Sequence, residues 1–134
     1  MMGFDKETIR ERLRTVSKWV TGTHTEMAET AAVVPEFKMR YVVMIYINGD
    51  QQAKRDVEIS VLKEGGTAGT VADHNVKFSN INVAPADNVQ IPEGGYDIEN
   101  PIFTMEGGTR GPYARTLKTG TSVNMTVTYW ENDI

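Results

Sequence analysis

Hydroxyl, imidazole and carboxylate side chains are the groups that could perform nucleophilic chemistry in this chain, because it contains no cysteine. A catalytic triad needs all three groups to converge at one point. The two histidines stand far apart: His24 lies in a polar, threonine-rich stretch and His74 in a loop. None of the four serines, at positions 17, 60, 79 and 122, lies in the strand–turn–helix context of a nucleophile elbow. The sequence therefore predicts no catalytic residue and no enzyme activity.

Metal chemistry is restricted to oxygen ligands. Without cysteine, and with two distant histidines, the chain lacks the ligands of zinc and iron–sulfur sites. Loop carboxylates and amides are the ligands that calcium prefers, and they occur as Asp73 with Asn75, Asp87 with Asn88, and Asp97 with Glu99 and Asn100. No calcium-loop motif is present, and Asp and Asn are also common in loops for backbone reasons. We predict no metal and no cofactor, with calcium-dependent binding as an alternative.

A glycine-rich motif occurs twice. Residues 64–69 read EGGTAG and residues 106–111 read EGGTRG, so five of six positions are identical. A phosphate-binding loop requires a lysine after its last glycine and a helix behind it, whereas a strand or loop follows here. We interpret the repeat as reused turn chemistry, because glycine adopts positive φ at low cost.

A row of cations near the N-terminus is the one candidate for nucleic acid binding. It consists of Lys6, Arg10, Arg14 and Lys18. The first 20 residues carry a net charge of +2 and the other 114 carry −6, which gives −4 for the whole chain. This acidic balance removes the electrostatic basis of nucleic acid binding. We predict no nucleic acid partner and a basic segment that is attracted to the acidic body.

The same N-terminal segment has a helical period. Ile9, Leu13, Val16 and Val20 follow at spacings of four, three and four, Asp5 can act as N-cap, and Thr21-Gly22 is a plausible end. We predict an amphipathic helical arm over residues 1–22 and a polar linker over 23–34. An apolar stripe needs a surface to cover it. The predicted partner-binding residues are Ile9, Leu13, Val16, Trp19 and Val20.

From residue 35 to 134 the period changes to two, which is typical of strands. Phe37–Ile47 predicts a long strand with one wholly apolar face, and Ser122–Trp130 alternates with Val123, Met125, Val127 and Tyr129 inside. The other predicted strands are Val57–Val61, Val76–Val83 with a bulge near Ser79–Asn80, Ile98–Met105 and Tyr113–Leu117. We predict a mainly β domain: an antiparallel β-sandwich of jelly-roll or immunoglobulin-like type, with a small barrel as the alternative.

Neither a membrane span nor a leader is visible in the sequence. The longest dense apolar stretch, Tyr41–Ile47, is far shorter than a membrane-spanning helix requires. The N-terminus is charged from Asp5 onward and lacks the apolar core of a signal peptide. We therefore expect a protein that is made in the cytoplasm.

The organisation as a whole, a short arm on an all-β body with glycine-rich loops, resembles that of small structural or decoration subunits of virus particles and other assemblies. The resemblance implies a non-enzymatic structural or assembly subunit that forms homo-oligomers or joins a larger protein assembly, with a virion or capsid as one destination. The alternative is a β-sandwich that binds a ligand, either a carbohydrate or a calcium-dependent one. Its candidate residues are Tyr96, Tyr113 and Trp130. Because Tyr129 points inward, Trp130 is predicted to point outward or into a second interface.

Overall fold

The computed structural model describes residues 6–21, 28–29, 33–67, 70–118 and 120–133. Strands form two antiparallel sheets, with one short helix near the N-terminus. The elements in chain order are α1 (Lys6–Arg12), β1 (Arg14–Thr21), β2 (Ala28–Glu29), β3 (Lys38–Gly49), β4 (Arg55–Leu62), a 3₁₀ helix (Val71–Asp73), β5 (His74–Val83), β6 (Asn88–Ile91), β7 (Phe103–Glu106), β8 (Tyr113–Thr116) and β9 (Ser122–Asp133). The predicted β-sandwich is confirmed and the barrel alternative is wrong. The predicted N-cap Asp5 and His24 lie outside the described residues.

We call the two layers the front sheet and the back sheet. In the front sheet β1, β9 and β3 lie side by side, and two short strands share the far edge of β3. β7 pairs with Met39–Val42 and β6 with Ile45–Asn48. The back sheet has the order β2, β8, β4, β5. Apolar side chains from the inner faces of both sheets form the main core, which is how a sandwich buries one face of each sheet.

β9 confirms the predicted alternation. Val123, Met125 and Val127 are fully buried and Tyr129 is nearly so, and all four belong to the main core. The strand lies between β1 and β3, so both of its edges are paired.

β3 departs from the simple alternation predicted for it. Its register against β9 shifts between Val42 and Met44, so Val43 is an extra residue in the ladder. Such a bulge reverses which side chains face inward. Val42 packs in the main core before the bulge, and Ile45 and Ile47 do so after it. The prediction that the odd-numbered residues from Phe37 to Ile47 share one face is therefore wrong.

The N-terminal helix is shorter than predicted. It ends at Arg12, and residues 14–21 form β1, which pairs with β9 from Arg14 opposite Tyr129 to Thr21 opposite Ser122. A spacing of four residues puts Val16 and Val20 on one face of a helix and equally on one face of a strand. Their β-branched and aromatic neighbours favour the strand. The predicted helical arm over residues 1–22 is thus wrong from Arg14 onward, because these residues are an edge of the sandwich.

Three further segments differ from the predictions made for them. The predicted linker over residues 23–34 contains β2 and ends with Val34, which is fully buried in the main core. The predicted strand Ile98–Met105 is a strand only at Phe103–Glu106, consistent with Pro101 interrupting a ladder. Between the predicted strands Val76–Val83 and Ile98–Met105, where no strand was predicted, the structure has β6.

The predicted bulge in β5 is confirmed. Val57 of β4 lies opposite Ile81, while Ile59 lies opposite Phe78, so one residue of β4 faces two of β5. The extra residue adopts a left-handed conformation at Asn80, with φ of 56°, which asparagine tolerates better than most residues.

Candidate functional site

One half of the outer face of the front sheet is covered. Trp130 lies on that face, as its position beside Tyr129 predicts, but it is fully buried. Ile9 of α1, Ile98 of the loop between β6 and β7, and Val43 pack with it in a second, smaller core. The ring of Tyr41 stacks on it with 4.4 Å between centroids and 22° between planes. In this structure α1 therefore covers its own sheet.

The other half of the outer face is open. Two rows of side chains run across β1, β9, β3 and β6, since the inner neighbours of these residues pack in the main core. One row is Ser17, Thr126, Tyr46 and Gln90, and the other is Trp19, Asn124, Asn48 and Asn88. We call these eight residues the uncharged face. In a chain with 24% charged residues, eight neighbouring positions on four strands carry no charge.

The uncharged face consists mostly of groups that both donate and accept hydrogen bonds. The hydroxyls of Ser17 and Thr126 are 2.8 Å apart, and the Thr126 hydroxyl donates to Oδ1 of Asn124 at 3.4 Å. The side chain of Gln90 donates to the carbonyl of Pro92 at 3.2 Å. Hydroxyls and amides retain further capacity for bonds to a partner.

Trp19 is the most distinctive residue of this face because 57% of it is exposed. Val16 and Val20, on the opposite side of β1, pack in the main core and fix the strand that presents it. An aromatic side chain on rigid backbone loses little conformational freedom on binding, and tryptophan is enriched among residues that dominate binding energy.

The five predicted partner-binding residues have different environments. Ile9 and Val20 are buried, while Leu13 and Val16 are half-buried against the two cores. Trp19 is the one member of the set with most of its surface exposed. A strand rather than a helix presents it, and its role as a contact residue stays a prediction.

The three predicted ligand-binding aromatics do not form a common site at the surface. Tyr113 is 1% exposed and Trp130 is fully buried, so neither ring offers a face to a ligand in this structure. Tyr96 is 42% exposed, in the loop that crosses the outer face of the front sheet.

A serine–histidine pair exists that sequence reasoning missed. Ser60 Oγ and His74 Nδ1 are 3.0 Å apart, and the His74 ring contacts Tyr113 edge-on at 4.7 Å. The antiparallel pairing of β4 with β5 creates the contact, and only a correct strand register could have revealed it. Ser60 is fully buried and His74 nearly so, whereas a nucleophile must reach its substrate. The hydrogen bond between Ser60 and His74 therefore satisfies two polar side chains in the protein interior.

The two glycine-rich loops meet in space. The turns after β4 and β7 line a cleft of about 380 Å³ whose wall includes Lys63, Glu64, Glu106 and Arg110. Gly65 and Gly108 have φ of 73° and 86°, and a Cβ on either would meet no atom within 4 Å. Their positive φ supports the interpretation as turn chemistry.

Loop carboxylates serve the local backbone. Asp97 accepts hydrogen bonds from the Glu99 N–H and the Asn100 side chain, and these bonds lower its pKa. Asp73 accepts from the Thr67 N–H at 2.8 Å. Within the described ranges no group of three or more histidine and acidic side chains is placed to hold a metal ion.

No helix in the described part of the chain is both long and apolar enough to cross a membrane. The sequence matches no known protein family, and no curated protein is detectably similar to it. The geometry of the surface is therefore the basis for the function proposed next.

Proposed function

We propose that this protein is a non-enzymatic structural subunit whose copies associate through the uncharged face. The observation that supports the proposal is the pair of rows around Trp19, which lies on paired strands, carries no charge and exposes 57% of Trp19. The uncharged face replaces the apolar stripe of the predicted N-terminal helix as the contact surface, because Ile9 and Val20 are buried within their own chain. The expectation that the assembly is a virus particle rests on architecture alone and stays a prediction.

The absence of charge on this face reduces the electrostatic barrier to a second copy as the partner. Each copy carries a net charge of −4, so two copies repel at most orientations. A face without charge avoids placing like charges directly against one another, which is costly at an interface.

Hydrogen-bonding chemistry points to the same partner. In a two-fold contact the same patch of both copies forms the interface. Each hydrogen-bond donor of the patch therefore needs an acceptor in the same patch of the other copy. Asn48, Asn88, Asn124 and Gln90 carry both functions in one side chain. Trp19 supplies the apolar anchor that such a patch needs.

The size of the face sets the expected affinity. Four strands at a spacing of about 4.8 Å give a patch below the roughly 800 Å² that each partner buries in a standard interface. We expect micromolar or weaker self-association from this contact.

Native mass by light scattering on the full chain, up to about 1 mM to match a small interface, tests the proposal. We expect the wild type to exceed the monomer mass, and both Trp19→Ala and Asn124→Asp to lower it. Asn124→Asp is nearly isosteric but places like charges close to each other. Asn75→Asp, on an exposed residue of the back sheet, is the matched control and should not change the mass.

Two results would contradict self-association through this face. One is a wild-type mass that Trp19→Ala and Asn124→Asp leave unchanged. The other is a monomer at all concentrations that binds neutral cello-, xylo- or chito-oligosaccharides through Trp19, which would support the carbohydrate alternative instead.

A further inference from the structure

Phe37 combines two properties that folding alone does not favour. Its φ is 64°, in the left-handed region, and 79% of its surface is exposed. The turn from Pro35 to Lys38 is closed by the Lys38 N–H at 3.2 Å from the Pro35 carbonyl, and the third position of a turn with positive φ favours glycine or asparagine. A bulky residue there is strained, and this one has no extensive packing in return. Strain of this kind marks functional positions.

The surrounding structure holds the turn in place. Val34, just before it, is fully buried in the main core. Its N–H donates to the Thr109 carbonyl and its carbonyl accepts from the Gly108 N–H, both at 2.8 Å. A Cβ on Gly107 would lie 2.9 Å from the Pro35 carbonyl oxygen and 3.1 Å from the Phe37 nitrogen, so only glycine permits this approach. These contacts hold the turn in place, and the Phe37 side chain projects from it into solvent.

The cleft between the two glycine-rich loops lies beside this turn, because Gly107 lines the cleft and lies against the backbone of Pro35 and Phe37. Its volume of about 380 Å³ falls within the range of small-ligand pockets. Leu62 and four glycines contribute to its wall, together with the cations Lys63 and Arg110 and the carboxylates of Glu64 and Glu106. Its charges balance, unlike those of the chain as a whole.

We propose that Phe37 of one copy inserts into this cleft on a second copy, and that the second copy does the same in return. A two-fold contact requires a projecting group and its receptor on the same end of the molecule, which is the arrangement seen. Balanced charges around the cleft allow a cation of one copy to approach a carboxylate of the other. The same chain is therefore the partner that this end fits.

This contact is separate from the uncharged face and goes beyond the proposed function. Phe37 precedes β3, and Tyr46 is the member of the uncharged face nearest to it along that strand. Nine residues of strand separate the two surfaces by roughly 30 Å. A single two-fold contact stops at a dimer. Two different two-fold contacts extend the assembly into chains or rings.

Phe37→Asn is the decisive variant because asparagine suits the left-handed conformation. We expect its melting temperature to equal or exceed that of the wild type, while self-association at this end weakens roughly tenfold or more, as for loss of an aromatic anchor. Light scattering in the Trp19→Ala background isolates this contact, where the expected change is from dimer to monomer. Tyr96→Asn, also on a loop aromatic with much of its surface exposed, is the control and should leave the dimer intact.

Gly65→Asn tests the receptor side. Gly65 lines the cleft and a Cβ there would meet no atom within 4 Å, so the added side chain should leave its own fold intact and weaken the same contact as Phe37→Asn. Gly95→Asn, at another open glycine with positive φ, should have no effect.

Three results would overturn the proposal. One is a lower melting temperature for Phe37→Asn with unchanged association, which would make Phe37 a stabilising residue. The second is an unaffected dimer in Gly65→Asn. The third is a monomeric Trp19→Ala variant. That result would mean that the uncharged face is the single contact, so it would contradict this proposal and leave the proposed function intact.

Discussion

At the residue scale, Asp50 connects distant parts of the chain through one side chain. Its carboxylate accepts the Gln52 N–H at 2.9 Å, the Ser122 N–H, and a hydrogen bond from Arg55, whose guanidinium is buried. Burial opposes ionisation of Asp50, but these bonds and the charge of Arg55 outweigh it and lower its pKa below the ordinary 3.8. The turn after β3, the start of β4 and the start of β9 are thereby held together.

Asp50→Asn should destabilise the fold by about 3 kcal/mol, because it leaves the buried Arg55 without its counter-charge. A carboxyl whose pKa is lower in the folded state stabilises the protein above its unfolded pKa and loses that effect as the pH falls through the folded pKa. The difference in unfolding free energy between wild type and Asp50→Asn should therefore be full at neutral pH and shrink below about pH 4. Urea denaturation at a series of pH values measures it, and a difference independent of pH would contradict the assignment.

Residue identities in the sequence predicted part of the candidate site. Trp19 is the one predicted contact residue that belongs to the uncharged face, and its contact role stays a prediction. The other seven members of the uncharged face are ordinary strand residues, such as Asn48 and Thr126, and no local pattern distinguishes them. They become a surface only through the register of four strands, which depends on long-range pairing that a one-dimensional pattern does not contain.

At the scale of elements, the prediction succeeded where one period runs without interruption and failed where the period changes. β9 has a single alternation and was predicted correctly. The spacing of three between Leu13 and Val16 fits a helix but breaks the parity of a strand, and the change from α1 to β1 occurs within that interval. In β3 one inserted residue has the same effect on alternation. Both predictions failed because the period changes at a single position, whereas the pattern is read over many residues.

α1 should stabilise the protein through Ile9. Ile9→Ala removes buried methyl groups from the small core around Trp130 and should lower the unfolding free energy by about 3 kcal/mol. Glu11→Ala, on an exposed residue of the same helix, is the control. In a Trp19→Phe background, acrylamide should quench the fluorescence of Trp130 more strongly after Ile9→Ala, and unchanged quenching would mean that α1 does not shield the ring.

Deletion of Val43 should convert the bulge into a regular ladder. Val42 and Ile45 would then lie two positions apart and both still face the main core, so we expect the native near-ultraviolet circular dichroism to persist. The deletion and Val43→Ala both remove the packing of Val43 in the small core, and each should cost about 3 kcal/mol in urea denaturation. Loss of the native spectrum in the deletion variant alone would show that the fold requires the bulge itself.

At the scale of the whole molecule, the net charge opposes self-association and the two proposed contacts favour it. The net charge of −4 keeps copies apart, and the two proposed contacts are the surfaces where this repulsion is least. Salt screens the repulsion between bodies but has little effect on uncharged side chains in contact.

Self-association should therefore strengthen as ionic strength rises from low salt to roughly 0.5 M, where the screening length is a few ångströms. The measurement is the dissociation constant from concentration-dependent light scattering on Phe37→Asn, which keeps only the contact through the uncharged face, with Trp19→Ala combined with Phe37→Asn as a monomeric control. Association that weakens with salt would instead indicate that ion pairs hold the copies together.

The shared edge of β3 also has a practical meaning for engineering. β6 and β7 are bonded to β3 independently of each other, so the loop that joins them can be lengthened while both strands remain paired. At Gly94 and Gly95 a Cβ would meet no atom within 4 Å, and a doubled loop costs only about 0.6 kcal/mol in closure entropy. A foreign peptide inserted between these two glycines would be displayed once per copy, and an assembly of copies would present it as a regular multivalent array.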